Sequence, residues 1–154
     1  MIPRRSPFQA SRKRVRCDAM DQPRRLLIVE DELEMLACLR EHFTDHGHQV
    51  FTASTVEEAL AWLNQTTLDM AFVDMRLARG HGRSVIQEIA RRKLPIRMVV
   101  MTACDDLDLR RDLLAYGVTD YLFKPITLRE VGSLLTAPST PIPTPSAEAD
   151  TISS

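Results

Sequence analysis

Aromatic residues are scarce: one Trp, two Tyr and five Phe make 5% of the 154-residue chain, so any core must be aliphatic. There is no run of eighteen apolar residues, which excludes a membrane-spanning helix and favours a soluble protein with no membrane partner. The three cysteines, Cys17, Cys38 and Cys104, form no C-x-x-C pair. They therefore build neither a zinc knuckle nor a disulfide framework, and a reducing cytoplasm is the expected compartment. Residues 1–16 are basic but lack the apolar stretch that export requires. Neither G-x-x-x-x-G-K-[ST] nor G-x-G-x-x-G occurs, which disfavours nucleotide-dependent activities.

What is present falls into three zones. Residues 1–25 hold eight Lys and Arg against Asp18 and Asp21, a charge of +6 that leaves −7 for the rest. We read 1–24 as a basic disordered extension in preference to a nucleic-acid-binding arm built on Arg12, Lys13, Arg14 and Arg16. Residues 137–154 contain Pro138, Pro141, Pro143, Pro145 and seven Ser or Thr, the composition of an extended tail that does not pack.

Between them, residues 25–136 alternate short apolar runs with helix-period segments, which predicts βαβ units. Strands are expected at 26–30, 49–53, 70–74, 96–102 and 120–123, and helices at about 32–46, 56–65, 84–92, 106–116 and 128–135. Ser54 or Thr55 with Glu57 or Glu58, and Thr127 with Glu130, are spaced for capping boxes. Leu33, Leu36, Ala37 and Phe43 form the expected apolar stripe of the first helix, and Gly47 and Gly117 fall just past helix ends. The resulting fold class is α/β: a doubly wound, five-stranded parallel sheet, (βα)5 and flavodoxin-like, forming one domain with disordered tails.

Such sheets place their chemistry at the carboxyl ends of the strands. Glu30 and Asp31 follow the first expected strand, Asp74 ends the third, Thr102 ends the fourth, and Lys124-Pro125 follows the fifth. Two carboxylates about 4 Å apart repel by about 4 kcal/mol at an effective dielectric near 20, so this cluster needs compensation. Lys124 supplies one positive charge. A hard divalent ion would supply two more, and magnesium fits oxygen ligands that leave it several waters. A single such acid could simply cap a helix, as Asp31 could, but five polar strand ends are harder to explain that way.

Residues 26–32 (LLIVEDE), 72–77 (FVDMRL), 99–103 (VVMTA) and 120–125 (DYLFKP) resemble, in order and spacing, the four signature blocks of bacterial two-component response-regulator receiver domains. Within that family, the 74–77 run followed by Gly80 and Gly82, with a proline-rich segment after residue 136, is most similar to the redox-responsive global regulators of proteobacteria. The resemblance implies that Asp74 is the phosphoacceptor, attacking a phosphohistidine of a histidine kinase or phosphotransfer protein, or a small phosphodonor. It implies that Asp31, Asp74 and the backbone carbonyl of Arg76 hold Mg2+, with Glu30 acting through a water. It further implies that Lys124 and Thr102 bind the phosphoryl oxygens, that Tyr121 swings into space Thr102 vacates, and that Lys124-Pro125 is a cis peptide. The protein would then be a phosphoacceptor that assists its own phosphorylation and dephosphorylation rather than an enzyme, signalling to an unknown downstream protein.

Three departures from the family pattern stand out. Glu30 replaces the usual Asp, Ala78 stands where many members have Pro, and Gly132 weakens a short last helix, leaving a monomer or weak dimer as the expectation. Arg76 and His81 lie close enough along the chain to Asp74 to influence the site. His42 and His46 are spaced to bind a transition metal, though a solvated helix face is the plainer reading. Two alternatives remain: a receiver remnant of a DNA-binding transcriptional regulator that has lost its output domain, or a phosphorylation-independent protein-binding module. DNA binding is not expected without another domain, since no helix-turn-helix follows Leu135. A phosphoaspartate hydrolase is disfavoured because Arg76 occupies the offset where a second Asp is needed.

Overall fold

The computed structural model describes residues 23–118 and 120–136. The expected tail 137–154, and all but the last two residues of the expected basic extension 1–24, lie outside the described residues. The elements alternate throughout. They are β1 (Arg25–Val29), α1 (Leu33–Asp45), β2 (Gln49–Ala53), α2 (Val56–Gln65), β3 (Met70–Asp74), α3 (Gly82–Arg91), β4 (Arg97–Thr102), α4 (Leu107–Leu114), β5 (Asp120–Phe123) and α5 (Leu128–Thr136). All strand pairings are parallel and the order is β2-β1-β3-β4-β5. The chain leaves β1 toward β2, then returns across β1 to β3, so the topological switch point lies between β1 and β3.

The inner strands β1, β3 and β4 are nearly continuous apolar runs because helices cover both faces of the sheet. Alternate residues divide between two cores. Leu27, Val29, Ala71, Val73 and Val100 pack with Ala59 and Leu63 of α2, Val85 and Ile89 of α3, and Leu113 of α4. Leu26, Ile28, Phe72, Val99 and Met101 pack with Leu39 and Phe43 of α1 and Val131 and Leu135 of α5. Met70, Met98 and Met101 fill the core, and Trp62 packs on Phe51 while its indole N–H donates to the carbonyl of Thr52 at 2.9 Å.

Local signals mostly act as the sequence indicates. Thr127 and Glu130 form a reciprocal capping box. On α2, Thr55 caps the N–H of Glu58, and the Glu58 carboxylate accepts from the N–H of Ser54 rather than from that of the cap itself. Gly47 and Gly117 have φ of +91° and +97°, the left-handed conformation that glycine adopts without a Cβ clash.

Several expectations are corrected. Leu33 does not join the core of α1: it is 69% exposed in the first turn, and the buried positions are Leu39 and Phe43. The plainer alternative for Asp31, a cap on α1, is not what is found. Glu32 occupies that position without a side-chain bond, while the Asp31 carboxylate accepts from the N–H of Ala78. β1 stops at Val29, so Glu30 lies just beyond it, and α3 begins at Gly82, two residues earlier than expected.

Candidate functional site

Parallel register brings the ends of β1, β3, β4 and β5 together: Val29 faces Val73, Asp74 faces Met101, and Thr102 faces Phe123. The residues that follow or close these strands therefore meet at one edge. Glu30, Asp31, Asp74, Thr102 and Lys124, the five strand-end residues singled out in the sequence, all line one open cleft of about 720 Å³. Arg76, which was expected near Asp74, lines it too, as do His81, Arg83 and Cys104.

Glu30 is 0% exposed and Asp74 3%, whereas Asp31 is half-buried. The Lys124 ammonium donates to Asp74 Oδ2 at 2.9 Å and to Glu30 Oε1 at 3.1 Å. Backbone donors hold the other oxygens of the buried acids: Arg76 N–H on Asp74 Oδ1 and Glu32 N–H on Glu30 Oε2, each at 3.1 Å. Burial raises the Glu30 pKa above the ordinary carboxylate value; the Glu32 and Lys124 hydrogen bonds oppose this without reversing it. For Lys124, burial acts to lower the pKa, but the bonds to Asp74 and Glu30 outweigh it and the net direction is upward. The ammonium is thus held charged between two acids.

Carboxylate oxygens of Glu30, Asp31 and Asp74 lie within 4.8 Å of one another, the only such group of three or more ligand residues among those described. One ammonium for three acids leaves negative charge in surplus, and hard oxygen donors suit a small divalent cation. The residues present therefore fit magnesium. The histidine pair does not join any such group: His42 and His46 stack at 4.5 Å, and His46 Nδ1 is hydrogen-bonded to the carbonyl of His42 at 2.8 Å.

The loop after Asp74 folds back on itself through an antiparallel bridge between Arg76 and His81, and the N–H of Gly82 donates to the carbonyl of Met75. A Cβ on Gly82 would lie 2.2 Å from the carbonyl oxygen of Asp74, so α3 can start this close to the end of β3 only with glycine there. Sequence reasoning noted Gly82 only within the family pattern; a lone glycine gives no sign of which backbone it approaches. The peptide Lys124-Pro125 is cis.

Thr102 is bonded to the backbone of Cys104. Its hydroxyl donates to the carbonyl of Cys104 and accepts from the N–H of the same residue, both at 3.2 Å. Tyr121 is not in the cleft wall: its ring packs with the core under α2, α3 and α4, and its hydroxyl donates to the carbonyl of Arg110 at 3.2 Å. Arg110, a residue the sequence did not single out, lies 5.2 Å from the Tyr121 ring centre and 5.1 Å from that of Phe123.

Residues 26–136 match the family model described as the response regulator receiver domain. The chain is 35% identical over 101 residues to the alginate biosynthesis transcriptional regulatory protein AlgB of Pseudomonas aeruginosa, covering 66% of this chain and 22% of that protein. It is 33% identical over 107 residues to the transcriptional regulatory protein PhoP of Escherichia coli, covering 70% and 48% respectively. The chain thus spans less than half the length of these relatives. Among solved structures, the non-phosphorylated HemR receiver domain of Leptospira biflexa matches in fold with a TM-score of 0.69 at 24% identity, over 78% of this chain and 98% of that one. Response regulator protein TrrA of Thermotoga maritima, in complex with Mg2+-BeF, matches with a TM-score of 0.63 at 26% identity, over 73% and 96%.

Proposed function

The chain belongs to the response regulator receiver family of two-component systems, and on that premise we propose that it is phosphorylated on Asp74 and switches a protein-binding surface in response. Receiver domains as a class are phosphoacceptors rather than enzymes. The observation that carries the proposal for this chain is the buried Asp74 carboxylate, hydrogen-bonded to Lys124 in an open cleft whose other acids leave negative charge uncompensated.

Asp74 Oδ would attack the phosphorus of a phosphohistidine on a histidine kinase or phosphotransfer protein, or of a small phosphodonor, forming an acyl phosphate and releasing the donor. Asp31, Asp74 and the backbone carbonyl of Arg76 would hold Mg2+, with Glu30 acting through a water. The ion, when bound, neutralises charge on the transferring phosphoryl. Lys124, already on Asp74 Oδ2, pairs with one phosphoryl oxygen. The Thr102 hydroxyl exchanges its Cys104 partners for another. Tyr121 then moves inward and α4 repacks, which presents a changed surface to a downstream protein. Arg76, exposed on the cleft wall, bears on how readily water attacks the acyl phosphate. We assign residues 25–136 to this unit and the cytoplasm as its compartment.

Incubation of the full chain with magnesium and a small phosphodonor should add about 80 Da to the wild type and nothing to Asp74→Asn, read by intact mass. A wild type that stays unmodified while a control receiver is labelled would favour a phosphorylation-independent binding module instead.

A further inference from the structure

Arg110 joins features that are otherwise separate. Its guanidinium lies over both aromatic rings of β5, and its carbonyl takes the Tyr121 hydroxyl. Its Nε lies 3.0 Å from Asp105 Oδ1, in an orientation that does not align the N–H as a hydrogen bond, so the attraction is one of charge rather than of a directed bond. Asp105 directly follows Cys104, whose backbone holds the Thr102 hydroxyl.

We propose that Arg110 is a positioning residue that clamps Tyr121 in its resting place, and that Asp105 releases the clamp when the Thr102 hydroxyl leaves Cys104. The proposal deepens the phosphoacceptor reading and rests on it for the signal that moves Thr102. Five contacts place the clamp. Tyr121 cannot turn inward while its hydroxyl is bonded to Arg110 and its ring face lies against the guanidinium. The guanidinium is steered by Asp105 on the loop between β4 and α4. That loop is tied to Thr102 through both backbone groups of Cys104. Losing those two bonds frees the loop, Asp105 shifts, and the cation slides off the ring. Because Arg110 lies within α4, release of the ring and movement of that helix are one event.

The test uses the full chain with 3-fluorotyrosine at Tyr116 and Tyr121, its two tyrosines, assigned by Tyr116→Phe and followed by fluorine NMR with and without magnesium and beryllofluoride, a phosphoryl mimic. Asp105→Asn is the deciding variant, because Asp105 pairs with Arg110 and not with the ring. It should move the ligand-free Tyr121 resonance toward the beryllofluoride-bound position. Arg110→Ala should move it further and lower the half-saturating beryllofluoride concentration by about 2- to 5-fold, the worth of one partly exposed cation–ring contact. Arg110→Lys, which keeps charge over the rings, should restore the resting position. If Asp105→Asn leaves both the resonance and the half-saturation at wild-type values, the clamp is overturned, whatever Arg110→Ala does. If the wild type shows no beryllofluoride response at all, the phosphoacceptor reading falls instead, and the ligand-free resonance of Asp105→Asn still decides the clamp.

Discussion

The two ends of the sheet are both charged, but they resolve their charge differently. At the amino ends of the strands, the acids Asp69 and Asp120 lie apart and each is met locally. Arg97 pairs with Asp120 at 2.8 Å and also donates to the carbonyl of Leu134, while Asp69 accepts from the N–H of Arg25 at 2.7 Å. At the carboxyl ends, Glu30, Asp31 and Asp74 crowd together, Glu30 and Asp74 share Lys124, and Asp31 accepts from the N–H of Ala78. Local pairing is what stability selects. A surplus of one sign, kept in a cleft, stabilises nothing by itself and marks the end of the sheet where the proposed cation and phosphoryl group would sit.

The largest test of this contrast is Arg97→Met, since Arg97 and Asp120 are each only 19% exposed. Denaturant unfolding should show a loss of about 2–3 kcal/mol, unchanged by magnesium. At the other end, magnesium at ten times its dissociation constant should stabilise the wild type by about 1.4 kcal/mol, by mass action. Asp74→Asn should lose most of that increment. An Arg97→Met protein whose loss magnesium reverses would erase the distinction between the two ends.

Glu30→Gln should raise stability in the absence of magnesium at neutral pH. The sign follows from burial. Glu30 has a folded pKa above its ordinary 4.5, so the fold binds its proton more tightly than the unfolded chain does. That contribution is complete below pH 4.5 and disappears as pH rises through the folded value, whereas glutamine is neutral throughout. The advantage of Glu30→Gln should therefore grow from acid to neutral pH in thermal melts.

The smallest effect belongs to the amino end. His48 Nδ1 accepts the N–H of Arg24 at 3.1 Å, and burial first, with Arg24 second, lowers the His48 pKa below 6.5. Its contribution is present above pH 6.5 and is lost as pH falls through the folded value. His48→Asn, which keeps an acceptor without a titrating ring, should flatten the melting temperature between pH 7 and pH 5.5.

Alternation of apolar runs and helical periods was enough to locate all five strands, because buried parallel strands leave few polar residues to blur the pattern. The five strand-end residues could be read from parallel geometry alone, and their convergence in one cleft followed. What stayed hidden depends on where segments meet. Leu33 reads as a core residue by period, yet it opens the first turn of α1 and is exposed. Asp31, just past the end of β1, is legible as a site residue, yet the backbone N–H it holds, that of Ala78, lies 47 positions away. Gly82 and Arg110 act through the close approach of strand ends and helices distant in sequence, which no local window contains.

β3 has a strand on either side and every one of its residues buried. Amides there should exchange with deuterium only on global unfolding, while those of α4, with Leu113 its one buried residue, open far sooner. The side chain that would carry the chemical mark thus stands on a strand buried at every residue, and the part that would report it is a helix with one buried residue. A signal laid down on such an anchor leaves the register of the sheet untouched and costs motion only where a partner would feel it.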